Sequence, residues 1–230
     1  MNKPNFNYEN RIWRSGYTLV AGVDEVGRGA FAGPVVAGCV VFKSNIPYSK
    51  FDIRIDDSKK LTAKQREVAN VWIKENCLTW GVGETSAREI DRFGIVNATR
   101  KAMRKSIGNA NQKFHNRVQY LLIDAFYIPY VRGIRMPLKR QLRNIKTEKL
   151  KNIIGQQLAI IKGDGKSFSI ASASIIAKVY RDNLMINLGK RKKYKKYGWE
   201  RNKGHGTLEH RKAIEKYGIL SYHRKLFIKN

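Results

Sequence analysis

Residues 22–36 read GVDEVGRGAFAGPVV, a stretch in which two acids, one arginine and four glycines interrupt an otherwise apolar chain. TLVAGV (18–23) leads into it and VVAGCVVF (35–42) leads out. Both flanks are apolar enough to be strands covered on both faces. The short glycine-rich span between them returns the chain, so 18–24 and 34–42 are expected to form an antiparallel pair. The chain has only 18 acids against 46 bases. Two adjacent carboxylates beside its core therefore need a reason.

The formal charge of +28 creates a field that attracts polyanions, nucleic acid first among them. A general basic bias of the source proteome is the bland alternative. With 42% hydrophobic and 10% aromatic residues over 230 positions, the composition is globular and supports one large domain with an appendage. Such a length buries roughly 70% of the unfolded surface. Cys39 and Cys77 have no CxxC partner, which excludes a cysteine-ligated zinc site or a disulfide framework and suits a reducing cytoplasm. No apolar run approaches the ~18 residues of a membrane span, and MNKPNFNYEN lacks the core of a signal peptide.

Three further strands are expected at 78–84, 118–124 and 156–162. Capping-box spacing in Thr62/Gln65 and Ser86/Glu89 places helix starts near 63 and 87. Residues 169–188 carry the longest helical pattern and are rich in small residues. Strands interleaved with helices give an α/β fold, a mixed five-stranded sheet flanked by helices. The expected division is an N-terminal extension (1–17), a catalytic domain (18–188) and a basic, aromatic-rich helical C-terminal extension (189–230). Residues 128–146, basic and aperiodic with two prolines, read as a loop or insertion.

The scarce acids locate the chemistry. Asp24 ends the first strand, Glu25 follows it, Asp124 ends YLLID, and Asp182 shares a helix face with Ile175, Val179 and Ile186. Carboxyl ends of strands are where open α/β sheets gather their sites. If the four converge, like charges about 4 Å apart repel by roughly 4 kcal/mol at an effective dielectric of about 20, so the cluster demands protons or cations. Oxygen ligands without His or Cys select Mg²⁺ or Mn²⁺, and two such ions would clamp a phosphodiester. Simpler uses stay open: Asp182 can pair with Lys178, Asp124 can serve a turn, and strand neighbours Asp24 and Glu25 point to opposite faces.

Together these stretches resemble the type 2 ribonuclease H family, bacterial ribonuclease HII. GVDEVGRGAFAGPVVAGCVVF is similar to that family's opening motif. DDSKKLTAKQRE (56–67), the block at 81–107, LLIDA, IKGDGKSFSIASASIIAKVYRD (161–182) and HRKLF (223–227) match its later ones. The resemblance implies a ribonuclease H-like fold with a C-terminal helical extension. It implies Asp24, Glu25, Asp124 and Asp182 as metal ligands for two divalent ions, Mn²⁺ or Mg²⁺. It further implies hydrolysis of the RNA strand of RNA–DNA hybrids and nicking at ribonucleotides embedded in duplex DNA, leaving 3′-hydroxyl and 5′-phosphate ends. The segment Gly27, Arg28, Gly29 would read the ribose 2′-hydroxyl, the group that separates RNA from DNA. Lys59, Lys60, Lys162 and Lys166 fall in matching blocks and would hold phosphates, or else form a solvated basic face. A cytoplasmic monomer is expected, with a sliding clamp as a further candidate partner.

The departures carry information. KGHGT stands where the family has KGYGT, putting His205, which can charge near neutral pH, in place of a tyrosine that stacks on a sugar; Tyr197 could otherwise supply that ring. Gly94 replaces a common asparagine, Leu226 replaces a serine, and the segment after Asp124 is longer. The alternatives are a non-catalytic basic RNA-binding protein, which would not explain the acids, and a ribonuclease HIII-like enzyme, which carries an extra N-terminal domain.

Overall fold

A computed structural model describes residues 3–44, 53–136 and 155–228. Five strands form one sheet in the order β3-β2-β1-β4-β5: β1 (Val20–Val26), β2 (Val35–Val41), β3 (Thr79–Thr85), β4 (Tyr120–Asp124) and β5 (Gln157–Ile160). The opening stretch is indeed an antiparallel β1–β2 pair, with Asp24 opposite Gly38 and Glu25 opposite Ala37. β4 lies parallel to β1, Val23 beside Ile123, and β5 parallel to β4. The sheet is therefore mixed, as expected. Strand ends shift by a residue or two, and one shift touches the site: β1 does not end at Asp24 but runs to Val26, so both acids sit on paired strand.

Two long helices cover the faces. Helix α3 (Ala87–Phe114) packs on the side holding Ala37, Cys39, Val23 and Ile123. It can approach closely because Gly81 and Gly83 present no Cβ: an added one would sit 2.2 Å from backbone oxygens of Ser106 and Ala102. Helix α4 (Phe168–Gly189) lies on the other face over Gly22 and Gly38 for the same reason, with added Cβ atoms 2.1 Å from Ser169 C and 2.2 Å from Ala173 O. The run SIASASIIA thus makes contact with the sheet possible, and α2 (Ala63–Asn76) completes that layer. Capping boxes at Thr62/Gln65 and Ser86/Glu89 are both formed.

Helix α3 bends at Gly94, whose φ of 75° and ψ of 157° lie in a region open essentially to glycine alone. Helix α1 (Asn7–Arg14) buries Glu9 and Ile12 against the sheet and the start of α4. After α4 come α5 (Trp199–Asn202) and α6 (Leu208–Tyr217), wrapped around a separate aromatic cluster of Tyr194, Tyr197, Trp199 and their neighbours. Of the 128–146 segment, residues 137–146 lie outside the described residues.

Candidate active site

Strand parity decides what meets what. Asp24 and Asp124 share a face, because β1 and β4 are parallel and Asp124 lies one step past the Val23–Ile123 rung, level with Asp24. That face carries α4. Glu25 points to the opposite side, as neighbours on a strand must.

Asp24 is 5% exposed, and its Oδ1 accepts from Glu25 N at 2.7 Å. Burial pushes its pKa well above the carboxylate range, and the charges of Glu25 and Asp124 push it further; a hydrogen bond from Ser174 works the other way. Glu25 is likewise raised, first by burial and also by Asp124, against the pull of Arg28, whose Nη1 lies 3.3 Å from Oε1. Glu25 Oε2 is buried with no hydrogen-bond partner. Asp124 Oδ1 accepts from Gly163 N at 2.8 Å. Lys162, left-handed at φ 56°, makes the turn after β5 from which that N–H points.

Asp182, on α4, is engaged by two cations. Its Oδ1 accepts from Lys178 Nζ at 2.8 Å, and Arg66 Nη2 lies 3.9 Å from Oδ2. The i,i−4 pair left open by the sequence is therefore formed. Among the described residues no three His, Cys, Asp or Glu side chains are gathered into a ready metal cage. The fit to a cation is still good at Asp24, Glu25 and Asp124. Two carboxyls with raised pKa values, of which Glu25 is only partly balanced by Arg28, and an orphaned buried oxygen call for a further positive charge, and all donors are hard oxygens.

The three residues Gly27, Arg28 and Gly29 divide the work of the turn. Gly27 has φ 91°, and a Cβ there would sit 2.1 Å from Arg181 Nε, so this glycine serves packing. Arg28 and Gly29 are exposed, and beside Gly29 there is open space. The turn is held from behind by two buried arginines. Arg181 donates to the carbonyls of Pro34 (3.0 Å), Ala32 (3.1 Å) and Lys203 (3.0 Å). Arg224 donates to Gly33 O (2.9 Å) and Arg28 O (2.8 Å). Burial lowers their pKa values to about 10 and about 9. Sequence reading did not single out these two arginines, although YRD and HRKLF contain them; nor did it find Ser174, Gly163 or Asp164.

Lys59 contacts Asp164 (3.5 Å) and Asp57 (3.9 Å), and Lys60 contacts Asp56 (3.3 Å). Burial disfavours charge on Lys59, yet Asp57, Asp164 and Asp24 outweigh it and its pKa is raised. Lys162 and Lys166 are exposed, and Lys166 O accepts from Asn5 N at 3.1 Å. His205 lies on the surface in the loop bonded to the turn, where Phe31 N and Ala32 N donate to Gly204 O at 2.8 and 3.0 Å. Its pKa falls below 6.5, through partial loss of hydration and the charges of Arg181 and Lys178. The ring is thus neutral at pH 7, not charged as its type alone allows. Tyr197 is fully buried and cannot supply a surface ring.

A protein-family model described as Ribonuclease HII matches residues 21–230. The chain belongs to the ribonuclease HII family. It is 42% identical over 221 residues to the ribonuclease HII of Caldanaerobacter subterraneus subsp. tengcongensis, covering 96% of this chain and 78% of the relative. The enzyme of Thermosynechococcus vestitus is 40% identical, with 97% and 90% covered. Membership makes the protein a ribonuclease H-type nuclease, a hydrolase. The fold is shared with ribonuclease H2 from Pyrococcus horikoshii (TM-score 0.67, 24% identity, covering 90% of this chain and 93% of that one). It is shared too with Bst-RNase HIII in complex with Mn²⁺ (TM-score 0.64, 18% identity, 92% and 68% covered) and with the chain from the PCNA:RNase HII complex of Archaeoglobus fulgidus (TM-score 0.64, 22% identity, 92% and 96% covered).

Proposed function

We propose that this ribonuclease HII family member cleaves the RNA strand of RNA–DNA hybrids and nicks duplex DNA at embedded ribonucleotides, with Asp24, Glu25, Asp124 and Asp182 as its metal-binding carboxylates. The observation that carries the reading is the buried Asp24, level with Asp124 on one sheet face, with Glu25 Oε2 buried and unpartnered alongside. Mg²⁺ or Mn²⁺ held there would supply charge neutralisation for the carboxylates and stabilisation of the oxygens that gain charge during hydrolysis. The Mn²⁺ complex of Bst-RNase HIII supports such a cofactor.

The protein's own groups position the substrate. Ser174 and Gly163 N hold Asp24 and Asp124 in place. The Gly27-Arg28-Gly29 turn, anchored by Arg181 and Arg224, offers an open backbone at Gly29 for close approach of a ribose and its 2′-hydroxyl. Lys59, Lys60, Lys162 and Lys166 would supply positive charge for phosphates, and Lys59 lies near enough to Asp24 for that acid to help raise its pKa. The neutral His205 faces the flanking nucleotide. The molecule acts as a monomer in a reducing cytoplasm, in keeping with two free cysteines, and the Archaeoglobus PCNA complex makes a sliding clamp a partner to test.

The test compares cleavage of a DNA duplex holding one ribonucleotide with that of an all-RNA hybrid strand, in Mg²⁺, in Mn²⁺ and in chelator. Ion-dependent cuts leaving 3′-hydroxyl ends are expected on both. Binding without cleavage in either ion would favour a basic RNA-binding protein instead.

A further inference from the structure

The middle of α3 carries a stripe that none of the residues above uses. Arg100, Lys101, Arg104 and Lys105 share one helix face with Phe93, and with Tyr130 they line a groove of about 620 Å³. No acid lines it among the described residues. Its cations are held in place: Lys101 Nζ lies 2.7 Å from Glu89 and 5.6 Å from the Phe93 ring, Arg104 donates to Pro129 O at 3.1 Å, and Lys105 to Glu84 O at 2.8 Å. Arg100 Nε is buried without a hydrogen-bond partner, a desolvated donor that an anion would satisfy. Tyr130 is 91% exposed on a left-handed residue at φ 60°, an aromatic ring held out in water.

The crowding of these cations works against the free helix. Like charges at i,i+4, as in Arg100/Arg104 and Lys101/Lys105, destabilise a helix by about 0.2–0.5 kcal/mol each. The location says what could use them. Glu84 pairs with Val36, and Val36 with Val26, so the groove opens at the sheet edge that carries Asp24 and Asp124, but on the α3 side. Pro129 and Tyr130 follow Asp124 along the chain.

We propose that this groove is a second nucleic-acid contact, binding the phosphate backbone of the substrate's flank away from the scissile bond, with Tyr130 packed on a sugar or base beside it. The proposal rests on the reading of the site as a hybrid-cutting centre. Residues 100–105 extend about 7.5 Å along the helix. At roughly 3.4 Å of rise per nucleotide on one strand, that accommodates two or three phosphates.

Fluorescence anisotropy on a labelled hybrid and a DNA duplex of equal length, repeated across salt concentrations, tests it. Each phosphate contact contributes a slope of about −0.9 in log affinity against log salt. Arg100→Gln/Lys101→Gln is expected to reduce the slope by about 2 on both probes. Lys74→Gln/Lys113→Gln, which removes two cations facing Trp80 at the other end of β3, is expected to leave it unchanged. Tyr130→Ala should weaken binding roughly fivefold or more without altering the slope. If the double variant melts early, Arg100→Gln alone should show about half the change. A wild-type slope in the Arg100 variants, an equal drop in the Lys74/Lys113 control, or unchanged affinity in Tyr130→Ala overturns the groove as proposed. Absence of cleavage by the unaltered enzyme would instead defeat the catalytic reading and leave the slopes to stand on their own.

Discussion

At the scale of single residues, the site combines catalytic potential with local instability. The raised pKa of Asp24 means that its folded environment favours the protonated form. That contribution is present below the ordinary carboxylate pKa and is lost as pH rises through the folded value, so at neutral pH without metal the charge is a liability. Asp24→Asn should therefore raise the melting temperature of the metal-free protein at pH 7, by about 2–4 °C for each kcal/mol recovered. Added Mg²⁺ should stabilise the unaltered protein and not the variant; a lower midpoint for Asp24→Asn in chelator would count against the account. His205 gives a second prediction. A neutral imidazole is smaller than the tyrosine it replaces and places no charge on a phosphate at pH 7. His205→Tyr should raise the cleavage rate at an isolated ribonucleotide more than the rate on a long hybrid. Unchanged ratios in both His205→Tyr and His205→Ala would show that the position does not govern junction recognition.

At the scale of elements, α4 is the part on which most depends, and α1 fixes where it starts. Glu9 Oε1 accepts from Ser167 Oγ (2.6 Å), Ser169 N (2.9 Å) and Ser169 Oγ (2.5 Å), a buried carboxylate at the positive end of the helix that carries Ser174 and Asp182. Glu9→Ala should cost about 2 kcal/mol, or roughly 4–8 °C in thermal melts, with a larger kcat loss than Glu9→Gln, which keeps the acceptor oxygen. A variant that melts and turns over normally would show that the N-terminal helix is dispensable. The five strands, the two capping boxes and the long helix were legible because apolar runs and Ser/Thr-x-x-Glu/Gln spacing act locally. The four acids stood out because acids are rare here, and strand register does put Asp24 and Asp124 on one face. Asp182's engagement with Lys178 and Arg66 was only half legible: the first partner is four residues away, the second is on another helix. Arg181, Arg224 and Ser174 escaped because their partners are carbonyls and side chains that only the tertiary fold brings near.

At the scale of the whole molecule, the C-terminal part is a brace for the turn after β1. Its aromatic core depends on two neutral histidines. Leu220 N donates to His223 Nδ1 at 2.8 Å, so His223 carries its proton on Nε2, which faces His210 Nε2 at 3.2 Å. His210 Nδ1 lies 2.9 Å from His205 O, and Trp199 Nε1 donates to His210 Nε2 at 3.0 Å, so that nitrogen must accept. Protonation would oppose donor to donor. Burial and the proximity of His210 push His223 down to about 4. The stability it contributes is complete above about pH 6.5 and is lost as pH falls from there toward about 4, of order 1 kcal/mol by pH 5 after screening. A melting temperature that falls by a few degrees between pH 7 and pH 5, and falls less in His223→Gln, would agree; an equal fall in both would not. The central claim remains that the carboxylates of β1 and β4 hold the metal that cuts RNA, and Asp124→Asn addresses it most directly. Gel-shift and cleavage assays on one preparation should show hybrid binding retained and cleavage abolished in Mg²⁺ and Mn²⁺ alike, whereas near-normal turnover in that variant would contradict the assignment.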